Sequence, residues 1–243
     1  MNAVRIAVLD ASHDDTNTRR NFRRELDAEL AEFDVTAGQL PDGFAYDACV
    51  VTGSRSSVYW GEAWIEPLKA WITRAIDRDL PFLGVCYGHQ LLADVLGGSV
   101  ADMGEYEIGY REIERPGDSR LLAGLDARFV AFTTHSDYVA SPPPGATVLA
   151  ENEYGNHGFR LGHVFGVQFH PEYDMETAHA VIEEKDLPAP QRCKAIESIT
   201  EANYAAACEA KIVFEHFIDY VREQRQQQAR AGVTQPPSAS STL

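Results

Sequence analysis

Apolar and polar positions fall into blocks along the first hundred residues, and the blocks carry two different periods. Residues 4–9 are an apolar, largely β-branched run broken only by Arg5, as a strand buried on both faces requires. A charged stretch from about 16 to 33 places Phe22, Leu26, Leu30 and Phe33 at spacings of three and four, which predicts a helix. A second short strand is expected near 33–36 and a third over 48–52, ended by Gly53. Trp64, Leu68, Trp71, Ile72 and Ile76 mark one face of a further helix. Residues 81–86 read as another buried strand, and 90–96 continue as a helix that Gly97 and Gly98 stop. Strands alternating with helices imply a parallel sheet covered on both faces, hence an α/β fold.

The pattern changes after residue 98. Short alternating segments at 107–114, 129–133, 147–150 and 164–169 are separated by Gly, Pro and Asn, which predicts a small antiparallel addition within the same domain. Residues 175–228 read as mostly helical, interrupted by Leu187-Pro188-Ala189-Pro190. The expectation is one domain over 1–228 and a disordered tail over 229–243, rich in Pro and Ser.

Composition narrows the function. With 243 residues and 44% apolar, the chain can bury one sizeable core. Asp and Glu number 37 against 21 Lys and Arg, a net charge of −16, which argues against nucleic acid and against a basic membrane-surface module. Lys69, Lys185, Lys194 and Lys211 are the four lysines beside 17 arginines, and an acid-rich, Lys-poor surface suggests a saline cytoplasm. Cys49, Cys86, Cys193 and Cys208 are too few and too scattered for a disulfide scaffold or a zinc site. The N-terminal run turns acidic too quickly for a signal peptide, and no apolar run reaches the roughly 18 residues of a membrane span. A cytoplasmic location is expected, with no metal and no cofactor.

The chemistry concentrates in Gly84-Val85-Cys86-Tyr87-Gly88-His89-Gln90. A cysteine stands where a buried strand ends and a helix begins, with Gly two before and two after it. That is a nucleophile elbow with Cys in place of Ser, and the helix N-terminus behind it favours a thiolate. Acyl transfer on sulfur also needs a base and a group to orient that base. Gly166-Val167-Gln168-Phe169-His170-Pro171-Glu172 supplies both after an apolar strand, with Pro171 stiffening the link. His13, His179 and His216 lie in charged or helical surroundings and are expected at the surface. His163 has no adjacent acid, and His89 belongs to the elbow's own helix and points elsewhere.

These two motifs, in this order and 84 residues apart, resemble those of the class I glutamine amidotransferases, above all the amidotransferase portion of GMP synthase and its stand-alone relatives. The resemblance runs over about residues 4–220. It implies a flavodoxin-like, doubly wound, mostly parallel sheet with helices on both faces. It also implies Cys86 as nucleophile, His170 as acid and base, and Glu172 as orienter. The backbone N–H groups of Tyr87 and Gly53 would form the oxyanion hole. Gly53 lies in Gly53-Ser54-Arg55, similar to the family's Gly-Gly-Pro or Gly-Ser-Pro loop, with Arg55 in place of proline. Gln90 is carried over as a substrate contact. For the amino-acid end of glutamine, Thr134-His135-Ser136-Asp137 resembles the Ser-His-Gly-Asp of the GMP synthase branch and implicates His135, Ser136 and Asp137. Asn156-His157-Gly158-Phe159 looks like a motif of the carbamoyl-phosphate branch but lies only 14 residues before His170, and is read as a hairpin turn.

The activity so implied is hydrolysis of glutamine through a γ-glutamyl thioester, with ammonia passed to an acceptor. No phosphate-cradling Gly-rich loop with Lys is present, so either a separate synthetase subunit receives the ammonia or the enzyme acts without one. Two alternatives are a γ-glutamyl peptide hydrolase using the same triad and a non-catalytic interaction protein on the same fold. The charge count also sets a measurable expectation. Between about 0.1 M and 2 M KCl the melting temperature should rise, as the Debye length falls from about 10 Å to below about 3 Å. Thermal scans check this: a flat profile removes the saline reading, and exchanging several surface Asp and Glu for Asn and Gln should abolish most of the dependence.

Overall fold

The computed structural model describes residues 3–233; residues 1–2 and 234–243 lie outside the described part. The chain opens with β1 (Arg5–Asp10), α1 (Thr16–Glu25), β2 (Glu29–Asp34), β3 (Ala48–Val51), α2 (Ile65–Ile76), β4 (Phe82–Val85) and α3 (Tyr87–Val95). Then come β5 (Ser99–Glu114), β6 (Arg128–Ser141), β7 (Thr147–Asn152), β8 (Gly155–Leu161) and β9 (Val164–Val167). The C-terminal part holds α4 (Met175–Glu184), α5 (Ala189–Glu197), α6 (Glu201–Ala207), a 3-10 turn (Cys208–Lys211) and α7 (Ile212–Val233). Part of the tail expected from residue 229 is therefore helical as far as 233, and the rest lies outside the described residues.

All nine strands among the described residues join one sheet, in the order β2-β1-β3-β4-β9-β8-β6-β5-β7. The first five in that order pair in parallel. From β9 onward the pairing is antiparallel. The antiparallel part is larger than the small addition expected, because β5 and β6 form a long ladder from Ser99↔Ser141 to Glu114↔Arg128. Bulges inside β5 break the alternation that pattern reading follows, so only its second half is legible.

The parallel half is covered on both faces, and alternate residues of β1 show why. Ile6 and Val8 join Phe22 of α1 and Phe214 and Phe217 of α7, whereas Ala7 and Leu9 join Leu68 and Ile72 of α2 and Leu91 of α3. Ile108, Tyr110 and Phe132 of the antiparallel half bury against α4 to α6 through Ala178, Ile182 and Ala195.

Two segments differ from the sequence reading. Leu30 and Phe33 lie on β2 rather than on the first helix, because Leu26 turns extended and residues 29–34 pair with β1 from Arg5↔Glu29 to Asp10↔Asp34. Their spacing of three then sends them to opposite faces of the sheet. Residues 156–159 are strand, not a hairpin turn; the turn lies at Glu153 and Tyr154.

The elbow of β4 and α3 depends on its glycines for space. A Cβ on Gly84 would stand 2.3 Å from the Gly88 carbonyl oxygen, and one on Gly88 2.3 Å from that of Val51. Both obstacles are backbone and cannot step aside. Gly84→Ala and Gly88→Ala should each destabilise the chain by about 3 kcal/mol. Urea unfolding measures the loss; a change within about 0.5 kcal/mol would show that the turn relaxes freely.

Candidate active site

Cys86 links β4 to α3 with φ 53° and ψ −102°, a conformation that a side chain other than glycine adopts at a cost of about 1–3 kcal/mol. Tertiary bonding maintains it: the Cys86 N–H donates to the Val167 carbonyl (2.9 Å), and the Gln90 N–H donates to the Cys86 carbonyl (3.1 Å). Tyr87, the first helical residue, is buried behind the sulfur against Trp64.

Because β9 runs parallel beside β4, with Val167 opposite Val85, the chain leaves both strands at the same sheet edge. His170 arrives there three residues after the strand, its N–H donating to the Phe132 carbonyl (2.8 Å). Its Nδ1 faces Glu172 Oε1 at 2.7 Å, a carboxylate that itself is buried, so Nδ1 carries the proton. Nε2 is buried without a directed hydrogen bond. Tyr173 stacks on the imidazole, ring centres 4.1 Å apart. Arg24 of α1 holds the segment from below through the Glu172 carbonyl (2.5 Å) and Asp174 (2.8 Å). Burial alone would lower the His170 pKa, but the Glu172 carboxylate and the neighbouring Cys86 sulfur outweigh it and raise it well above the ordinary value. Gly53 closes the group: a Cβ there would stand 3.1 Å from His170 Cε1 and 3.8 Å from Cys86 Cβ.

Gln90, His135, Ser136 and Asp137 border a small cavity that shares Cys86, Arg55 and Lys185 with the one beside His170. Their polar atoms are not equally free. Gln90 Nε2 donates to the Asp137 carbonyl (2.9 Å) and to Gln168 Oε1 (3.0 Å). His135 places Nδ1 2.9 Å from the same carbonyl. These two side chains therefore hold the 134–137 segment in place. Ser136 is half-buried at the wall, and Asp137 Oδ1 accepts from the Tyr59 hydroxyl (2.9 Å).

Behind His135 lies an acid that pattern reading passed over. Glu107 is fully buried, with Oε2 2.8 Å from His135 Nε2 and 3.0 Å from His157 Nε2, and Oε1 accepting from Asn152 (2.7 Å). Burial would raise its pKa, but the contacts from His135 and His157 hold it well below the usual carboxylate range. These three side chains are of metal-ligand type and converge within 4.8 Å, at spacings that hydrogen bonding and ion pairing account for. His157 thus supports the 134–137 segment rather than touching the cavity. His89 is fully buried, and burial, with His157 and His135 nearby, pushes its pKa down to about 3.

Three residues at the site escaped the sequence reading. His13, expected at the surface, is half-buried beside the Cys86 cavity, with Nε2 2.8 Å from Ser56 Oγ. Burial and the Arg55 guanidinium lower its pKa. Tyr59 and Tyr173 carry no motif of their own, and long-range packing brings them in.

A sequence model of the family described as glutamine amidotransferase class-I matches residues 10–187. The GMP synthase [glutamine-hydrolyzing] of Thermomicrobium roseum is 40% identical over 165 residues, 66% of this chain and 30% of that protein. That of Helicobacter acinonychis is 37% identical over 170 residues, 69% of this chain and 32% of that protein. The chain thus spans about a third of the length of these relatives. A glutamine amidotransferase from Thermotoga maritima superposes with a TM-score of 0.73 at 24% identity, covering 90% of this chain and all of that one. A glutamine amido transferase from Methylobacillus flagellatus gives 0.74 at 21%, covering 89% of this chain and 94% of that one. At these identities the two structures show the α/β fold alone.

The buried Glu107 makes a testable statement about pH. Its folded pKa lies below the unfolded one, so the unfolded chain binds the proton first as pH falls. Its stabilising share is complete above about pH 4.5 and is lost below it. Glu107→Gln should cost about 3 kcal/mol at pH 7, and the gap to wild type should narrow towards pH 4. Urea unfolding at both pH values checks this; a gap that does not depend on pH would show that Glu107 is neutral in the folded chain.

Proposed function

The chain belongs to the class I glutamine amidotransferases, and from that membership we propose that it hydrolyses the side-chain amide of glutamine through a γ-glutamyl thioester on Cys86. The observation that carries this reading is the buried His170–Glu172 pair beside a cysteine on a strained strand-to-helix turn, open to a cavity. His170 takes the thiol proton through Nε2, and the sulfur attacks the amide carbon. The N–H groups of Gly53 and Tyr87 receive the oxyanion, and His170 gives its proton to the departing ammonia. Water then cleaves the thioester with His170 again as base. Asp137 and Ser136 hold the amino-acid end, the carboxylate of Asp137 steadied by Tyr59.

Ammonia is delivered, in this reading, to a separate synthetase subunit, since the relatives named as glutamine-hydrolysing GMP synthases are about three times as long as the matched part of this chain, in a cytoplasmic enzyme with a flavodoxin-like, doubly wound fold. Hydrolysis of γ-glutamyl peptides by the same triad is a second reading, favoured by the size of the cavity beside His170, about 300 Å³.

Cys86→Ala and Cys86→Ser should abolish ammonia release while the melting temperature stays within a few degrees. His170→Asn should lose about three orders of magnitude or more in kcat, and Glu172→Gln less, since the carboxylate only fixes and charges the ring. A glutamine-like alkylating agent should label Cys86 and spare Cys49, Cys193 and Cys208. Mass spectrometry of the digest reads this directly, and labelling at another cysteine would overturn the assignment.

A further inference from the structure

In the proposed mechanism the Gly53 N–H receives the oxyanion, so its placement decides how well developing charge on the amide oxygen is stabilised. The main chain does little to fix it. Among the described residues no backbone–backbone hydrogen bond joins residues 53–56 to another segment. The run Gly53-Ser54-Arg55-Ser56 contains no proline to restrict φ. Side chains must therefore hold this loop, and they reach it from the connection between β1 and α1.

Two attachments flank Gly53. On one side the Ala11 N–H donates to Thr52 Oγ1 (2.9 Å), and that hydroxyl donates to the Gly53 carbonyl (3.1 Å). On the other, His13 Nε2 lies 2.8 Å from Ser56 Oγ, and the Ser56 hydroxyl donates to Glu62 Oε2 (3.0 Å). Ser56 has a single hydrogen and spends it on Glu62, so its oxygen accepts from the ring and Nε2 carries the proton. The ring, its pKa lowered by burial and by Arg55, is neutral at pH about 8, so this is its one N–H. The Trp64 indole N–H donates to the same Glu62 oxygen, and the indole meets the imidazole edge-on, ring centres 5.9 Å apart.

The chain before α1 is bent to make this reach. His13 (φ 59°) and Asp14 (φ 66°) both take the left-handed conformation that residues other than glycine adopt at a cost. Arg19 maintains the bend by bridging its two ends, Nε to Asp10 Oδ2 (2.7 Å) and Nη1 to Asp14 Oδ1 (2.6 Å). Strain kept beside a reactive group by surrounding bonds points to a role there.

We propose that His13 is a positioning residue, which through Ser56 holds the Gly53 N–H at the place where the oxyanion forms. The inference rests on the thioester reading above, in which an oxyanion arises twice, when the sulfur attacks and again when water does. His13 forms and breaks no covalent bond, and its one N–H is engaged by Ser56 rather than by substrate.

Two rates measured on the full chain separate this role from a general one: ammonia release from glutamine, and alkylation by iodoacetamide followed at Cys86 by mass spectrometry. Iodoacetamide reacts at a tetrahedral carbon, where the sulfur displaces iodide and no oxyanion forms. His13→Asn keeps the left-handed turn, which asparagine tolerates, but its shorter amide does not reach Ser56. It should lower kcat about ten-fold, less than the about 10²–10³ of a lost oxyanion donor, with KM and the alkylation rate within about two-fold of wild type. His13→Gln, whose amide nitrogen reaches about as far as Nε2, should recover most of the rate. Ser56→Ala should match His13→Asn, and the double variant should be no slower than either, because both break one chain of bonds. Unchanged kcat in His13→Asn would overturn the inference and leave the glutaminase reading intact. A rise in KM alone, or alkylation that slows in step with kcat, would do the same, since His13 would then act on the substrate or on the sulfur. His13→Gln no faster than His13→Asn would refute the Nε2 donor. Absence of ammonia release from the wild-type chain would remove the glutaminase reading and this inference together.

Discussion

The site depends on one pairing, β4 with β9. The two strands are 82 residues apart in the chain at their first residues, yet they lie side by side with Val85 opposite Val167, and the Cys86 N–H donates to the Val167 carbonyl. That bond does two things at once. It stabilises the left-handed backbone of Cys86, and it brings the chain leaving β9 past the sulfur, so that His170 and Glu172 arrive beside it. A slip of one residue in this register would turn every side chain of β9 to the other face and carry the imidazole away.

Space is the second constraint. Backbone approaches backbone at Gly84 and Gly88, and the His170 ring approaches Gly53, so closely that a methyl group at any of them meets a neighbour. The elbow is thus compact as well as strained, and the surrounding core holds it. Phe22, Phe214 and Phe217 pack one face of the parallel strands, and Trp71 and Leu91 the other, which is how a conformation costing a few kcal/mol persists.

Charge is handled differently in the two halves of the sheet. On the parallel side, Arg20 and Arg24 of α1 reach Asp174 and brace the segment that carries Glu172. Across the antiparallel side, Glu107, His135 and His157 come from three different strands and satisfy one another's polar atoms out of contact with water. A carboxylate with no exposure is tolerated because three donors satisfy it, and the cluster in turn fixes the carbonyl of Asp137 at the cavity wall through His135.

Sequence by itself determined the local parts: the buried strands at β1, β3 and β4, the helix face of α2, the elbow at Cys86 and the His-Pro-Glu after β9. Each rests on contacts within a few residues or on a backbone need that only glycine meets, and such signals are written contiguously. It also determined the family, because Gly84 to Gln90 and Gly166 to Glu172 stand in the required order. Tertiary structure decided what no contiguous pattern encodes. Leu30 and Phe33 share a spacing of three that suits a helix, and only pairing with β1 makes them a strand. Glu107 looks like an ordinary residue of a half-polar strand, and His157 like part of a turn, until β5, β6 and β8 lie side by side. His13, Arg55 and Lys185 meet at Cys86 because three separate segments come together there. Local periodicity reports which face of an element is buried; which elements face one another is set by strand order, and that emerges only when the whole sheet closes.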